Sequence, residues 1–215
     1  MNVKIVVNGR SKSKRAAILP PSFGGEGVRR RILEGALRLF ALRGFDGSSM
    51  RDLAARIELQ PSAMYAHFAS KEHLLAELVR AAHEAHHEEI RTAMLDAGAD
   101  PIAQLSALVR ANVRMHTTYP ELAIIVNTEL ERLSPELAAP GLALRKQSAA
   151  MLIAVIERGT AKGCFSQPNT QVVAAAIGAI GVRIPHWYQP QLMDPGELAE
   201  LHVQLALRML GAERP

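Results

Sequence analysis

Cysteine occurs once in the 215 residues, at Cys164, which excludes an internal disulfide and a multi-cysteine zinc site. Aromatic residues are scarce, at 4%, while the chain is 48% hydrophobic and rich in Ala, Leu, Ile, Val and Met. That balance favours helices packed on helices over a β-sandwich. No apolar run reaches the roughly 18 residues needed to cross a bilayer, and no long apolar core of a secretory signal opens the chain. No membrane partner is expected, and the expected location is the cytoplasm. Alternation of apolar and polar residues is confined to Val3 to Val7, and internal repeats and low-complexity tracts are missing. What remains is an all-α protein held together by packing.

Charge is unevenly spread. Residues 1 to 75 carry 13 Lys and Arg against 6 acids, a balance of +7, whereas residues 76 to 215 carry 12 against 15, a balance of −3. A basic front joined to a mildly acidic remainder suggests one part that meets a polyanion, with nucleic acid the first candidate. Residues 1 to 28 mix Lys4, Arg10, Lys12, Lys14 and Arg15 with Pro20-Pro21 and Gly24-Gly25. They read as a mobile basic arm, serving either as a clamp on DNA or as a solvated tail set by a misassigned start codon.

From Arg29 the spacing of Ile32, Leu33, Ala36, Leu37 and Phe40 predicts a first helix, stopped by Gly44. Ser49 caps a second helix with Asp52 as the acidic half of a capping box. After a three-residue break at Glu58-Leu59-Gln60, Pro61 opens a short third helix with Met64 and Phe68 inward. Ser70 caps a long connecting helix that lasts to the Asp96 to Asp100 break. Five more helices are expected, over about 101 to 118, 121 to 132, 136 to 162 with a start nearer Gly141 as the alternative, 169 to 187 and 195 to 210. The result is a three-helix head over 29–75 and a helical bundle over 76–215, about nine helices in all.

Two short helices across a three-residue turn, preceded by a packing helix in a basic segment, describe a helix-turn-helix. Its second helix leaves Ser62, Ala63, Ala66 and His67 near the groove and Tyr65 at the flank. Tyr65, His67, Lys71 and Ser49 are expected to position phosphates, while Ser62 and Ala63, with Gln60 and Arg51, read bases. A duplex DNA operator is the expected partner. The stretch RRRILEGALRLFALRGFDGSSMRDLAARIELQPSAMYAHFASKEHLLAELV resembles the DNA-binding head of TetR-type transcriptional regulators. The resemblance implies a homodimeric repressor whose two heads grip a pseudo-palindromic operator and whose C-terminal domain binds a small effector that releases the DNA. One departure stands out, since Glu58 occupies a turn position that usually holds glycine.

The C-terminal half is similar, through YPELAIIVNTELERLSPE, ERGTAKGCF and WYQP followed by DPGELAELHVQLALRML, to the members tied to fatty-acid, sterol or other acyl-CoA catabolism. That likeness implies an acyl-CoA or another large apolar thioester as effector. Independently, Arg183 is the only charged side chain between Lys162 and Asp194, with Trp187 one turn on. Such an arginine snorkels to water, pairs with an acid or awaits an anion. The effector contacts expected with it are Trp187, Arg114, Met115, Tyr119, Asn127, Met151 and Phe165. Small residues from Ala174 to Gly181, with the stripe Leu198, Leu201, Leu205 and Met209, are expected to form the dimer interface.

A competing reading comes from His83-Glu84-Ala85-His86-His87, which matches the H-E-x-x-H pattern of zinc peptidases. No third-ligand spacing follows it, so the segment reads as a solvated face of the connecting helix. No glycine-rich phosphate loop, nucleophile elbow or convergent acid pair is evident, and neither a cofactor nor a catalytic set is expected. A dimeric scaffold without DNA affinity is the remaining alternative.

Overall fold

The computed structural model describes residues 19–23, 27–166 and 169–212. The five basic residues assigned to the arm, the Val3 to Val7 stretch and the Gln167-Pro168 break lie outside the described residues. Among those described, the regular structure is helical: α1 (Val28–Arg43), α2 (Met50–Arg56), α3 (Pro61–His67), α4 (Lys71–Asp96), α5 (Pro101–Thr118), α6 (Pro120–Thr128), a 3-10 turn (Leu130–Arg132), α7 (Pro135–Ala161), α8 (Thr170–Trp187) and α9 (Pro195–Met209).

Local chemistry sets most of these boundaries. Ser49 Oγ accepts from the Asp52 amide at 3.1 Å while Asp52 Oδ2 accepts from the Ser49 amide at 3.1 Å, completing the expected capping box. Asp100 and Asp194 accept amide hydrogens at the starts of α5 and α9, each followed by a proline at the first helical position. The helix expected over 121 to 132 is interrupted after Thr128 by the 3-10 turn. Of the two starts considered for α7, the structure has the earlier, at Pro135, with Pro140 inside the helix.

The base of the arm is docked. Leu19 and Phe23 are buried, and the Arg30 guanidinium donates to the carbonyl oxygens of Leu19, Pro20 and Phe23 at 3.0, 3.2 and 3.1 Å. Residues 19–23 therefore belong to the head rather than to a free arm.

Two cores form, and their division positions the site. The first joins the head to the front half of α4, to Leu122, Ile125 and Val126 of α6 and to Ala138 of α7. The second packs the rear of α4 with α5, α7, α8 and α9. A boundary after Leu75 thus falls inside α4, within the first core. The α9 stripe also splits: Leu198 is buried in the second core, whereas Leu201 and Leu205 are exposed. On α8, only part of the small-residue run serves close approach. A Cβ at Gly181 would come within 2.0 Å of Asn112 Nδ2, but one at Gly178 would meet nothing within 4 Å.

Candidate functional site

The head presents α3 outward. Met64 and Phe68 are buried, while Gln60, Ser62, Tyr65, Ala66 and His67 are exposed, Tyr65 by 54%, and Ala63 is half-buried. Arg51 is exposed on α2 and makes no ion pair among the described residues. The turn into α3 takes the left-handed geometry that glycine favours, because Glu58 has φ 55°. A non-glycine residue pays roughly 1 kcal/mol for this conformation. The Leu59 amide closes the turn on Ala54 O at 2.9 Å, and Arg31 Nη2 donates to Ile57 O at 2.9 Å.

Two of the expected phosphate contacts are differently employed. Ser49 Oγ lies 2.6 Å from Asp52 Oδ2 and is spent on the cap. The Lys71 ammonium turns inward, donating to Phe45 O at 2.7 Å and Ser48 O at 2.8 Å and lying 4.1 Å from the Phe45 ring centroid. Carbonyl oxygens of the α1–α2 loop draw it there, which the sequence spacing could not disclose. It fixes the loop that sets α2 against α1. Lys71→Ala is expected to lower the stability of the head by about 1–3 kcal/mol. The slope of operator affinity against salt should stay unchanged, so thermal melts and a salt titration of DNA binding check the assignment.

The second candidate region is a cavity of about 610 Å³ between α4, α5, α6, α7 and α8, within the usual range for small-molecule sites. Met115, Tyr119, Asn127 and Arg183 line it. The other four expected contacts do not. Arg114 pairs with Glu89 on the exposed side of α5. Phe165 is packed into the second core against Gly159, and Met151 packs on that same core. Trp187 is 48% exposed and meets Tyr188 edge-on at 6.2 Å, outside the lining. Arg183 and Arg145 are both exposed at the lining and make no ion pair among the described residues.

The histidine segment is not the solvated face expected of it. His83 and His86 line the cavity with His116 of α5. His86 Nε2 lies 2.9 Å from Asn112 Oδ1, His116 Nδ1 donates to Asn112 O at 2.8 Å, and His87 Nδ1 lies 3.1 Å from Ser148 Oγ. Burial holds all three cavity histidines below the ordinary imidazole range, His83 and His116 each at about 4, with neighbouring positive groups adding to the shift. The sequence carried the signal, since His83 and Ile90 continue the Leu75 and Val79 stripe at helical spacing. Among the described residues no group of three His, Cys, Asp or Glu is placed to hold a metal ion, so the zinc-peptidase pattern finds no third ligand. No described helix is long and apolar enough to cross a membrane.

The cavity and the head share walls. Leu122 and Val126 line the cavity and belong to the head's core. α4 contributes Leu74, Leu75 and Leu78 to that core before supplying Ala82, His83 and His86 to the cavity. Polar ties cross the same seam: the Ser134 amide donates to Glu72 Oε1 at 2.7 Å, Arg132 pairs with Asp46 at 3.2 Å and Arg29 with Glu77 at 2.8 Å.

Comparison with known proteins matches both halves. Residues 98–210 fit the tetracyclin repressor-like C-terminal domain, and residues 32–78 fit the tetR family of bacterial regulatory proteins. The HTH-type transcriptional repressor KstR2 of Mycobacterium tuberculosis is 29% identical over 145 residues, which span 67% of this chain and 72% of that protein. A tetR-family regulatory protein from Rhodococcus RHA1 is 29% identical with a TM-score of 0.82, over 86% of this chain and 98% of that one. AibR, solved in complex with isovaleryl coenzyme A and operator DNA, shares the fold at a TM-score of 0.77 and 24% identity, over 86% of this chain and 99% of that one.

Proposed function

The chain belongs to the TetR family of bacterial regulatory proteins, and we propose that it represses transcription as a homodimer that leaves its operator when an apolar, anionic effector fills the cavity. It is a DNA-binding transcriptional regulator. Two copies of α3 about 34 Å apart would enter successive major grooves. Leu201 and Leu205 of α9 and Val172, Ile180 and Trp187 of α8 are exposed apolar side chains, and Ile180 and Leu205 line one small cleft, a surface suited to a second copy.

The observation that carries the release mechanism is the shared wall. Leu122, Ala123, Val126 and Asn127 of α6, with Tyr119 just before it, face the cavity, while Leu122, Ile125 and Val126 are packed with α1 in the head's core. An effector that spreads α6 from α8 must disturb the α1 and α4 packing that orients α3. A displacement of a few ångströms at each head is enough to lose groove spacing.

The cavity's chemistry supports an acyl thioester. Its α8 wall is apolar from Ala174 to Val182, between Gln171 and Arg183, fitting a hydrocarbon, and Arg145 and Arg183, unpaired among the described residues, fit carboxylate or phosphate oxygens nearer solvent. The volume suits the acyl portion, leaving the nucleotide part of a coenzyme A thioester outside. The fold of AibR accommodates isovaleryl coenzyme A together with operator DNA; for this chain the reading rests on its own lining.

Electrophoretic mobility shift with the DNA flanking its own gene tests the whole. A retarded fragment is expected, released by acyl-CoA thioesters in a C4 to C16 series and not by coenzyme A alone. Arg145→Ala with Arg183→Ala should raise the thioester concentration for half-release about tenfold. No retardation of any flanking fragment would overturn the regulator reading, and equal insensitivity to thioesters and coenzyme A would overturn the effector class.

A further inference from the structure

Three consecutive arginines at the start of α1 tie it to three different places in the head. Arg30 holds the carbonyl oxygens of Leu19, Pro20 and Phe23. Arg31 Nη2 donates to Ile57 O, just ahead of the turn into α3. Arg29 lies 4.6 Å from the ring centroid of Phe68, which closes α3, and pairs with Glu77 at 2.8 Å. One end of α1 thus reaches both the turn before the reading helix and the residue after it. The buried Leu19 and Phe23 pin residues 19–23 to that same end, so the chain before Leu19 departs from beside α3.

That chain carries Lys4, Arg10, Lys12, Lys14 and Arg15 and no acid, a charge of +5 out of the +7 of residues 1 to 75. The head itself offers α3 little positive charge. α3 has no Lys or Arg, Lys71 is turned onto loop carbonyls, and the three arginines of α1 are engaged within the head. Exposed Glu58 adds a negative charge in the turn beside α3. Duplex phosphates are neutralised by Lys and Arg, and five of the 13 in residues 1 to 75 precede Leu19. Reach is sufficient: at roughly 3.4 Å per residue, Arg15 and Arg10 can extend about 14 and about 30 Å from Leu19. The seven residues of α3 cover about 10 Å.

We propose that residues 4–15 form a second DNA-contacting element, gripping operator phosphates that flank the groove entered by α3, with the Arg30 clip fixing where the element starts. Its contacts are with the backbone, so they add affinity and salt dependence without reading sequence. This rests on the regulator reading and extends the footprint beyond the helix-turn-helix.

The full chain is compared with a variant carrying Lys4→Gln, Arg10→Gln, Lys12→Gln, Lys14→Gln and Arg15→Gln, on the flanking fragment that mobility shift retards. The variant should bind about 100-fold more weakly at about 0.1 M salt, and its slope of log affinity against log salt should be shallower by about 3 to 4 per protomer. Hydroxyl-radical footprints should lose backbone protection outside each half-site, with thermal melts unchanged. A second variant, with Lys and Arg exchanged at the five positions, keeps the charge and should behave as the parent. An unchanged slope and footprint in the glutamine variant, or an equal loss of affinity in the exchanged one, overturns the inference and leaves α3 as the reader. Failure of the parent to retard any fragment removes the regulator reading and the inference with it.

Discussion

Taking the protein from pH 7 to pH 5 is expected to reduce its unfolding free energy by about 4 kcal/mol, read from urea midpoints at the two values. The cause is the cavity wall. His83 and His116 titrate at about 4 in the folded protein against 6.5 for a free imidazole. Below 6.5 the unfolded chain therefore takes up protons that the folded chain refuses, and stability falls as pH drops. The loss accumulates from 6.5 downward and levels off below 4, when both states are protonated. His86, also shifted down by burial, adds to it in the same direction. A loss of that size is a large share of the roughly 5–15 kcal/mol that holds a native domain. His116→Leu should remove close to half of the slope, even though losing its bond to Asn112 O costs stability at neutral pH. A flat stability profile between pH 7 and 5 would mean that water reaches these rings freely.

Those histidines also mark where the sequence stopped being legible. The caps at Ser49, Asp100 and Asp194 act within four residues, so the chain alone placed the starts of α2, α5 and α9. The helix-turn-helix was readable for the same reason, whereas Glu58 was singled out only by the family resemblance, and there the structure has φ 55°. The cavity is different in kind. Its wall joins His83 to Asn112 and Arg145 to Arg183 across separate helices, and only packing decides which side of α4 meets α5. Polar letters in the histidine segment suggested solvent, yet its register matched the buried stripe. Long side chains were least predictable: Lys71 reaches loop carbonyls 26 and 23 residues away in the chain, and Arg114 meets Glu89 instead of a ligand.

Gly178→Leu is expected to yield a regulator that holds its operator and ignores its effector. A side chain at this position enters open space, since a Cβ there would meet nothing within 4 Å and Gly178 lines the cavity. Replacing a mid-helix glycine also favours α8 by up to about 1 kcal/mol, so the fold should not suffer. The leucine occupies volume that an acyl chain would need, and forcing a ligand past it costs about 1–3 kcal/mol, or roughly tenfold to a hundredfold in effector concentration. Mobility shift should show unchanged retardation of the operator and a half-release point displaced by that factor. Gly181→Leu, one turn on, provides the contrast. There the new carbon would sit 2.0 Å from Asn112 Nδ2, displacing the side chain that fixes His86 and driving α8 away from α5. That variant should lose thermal stability before it says anything about effectors. If instead Gly178→Leu responds to effector as the parent does, the ligand lies elsewhere, and α6 loses its role as the wall that transmits binding to the head.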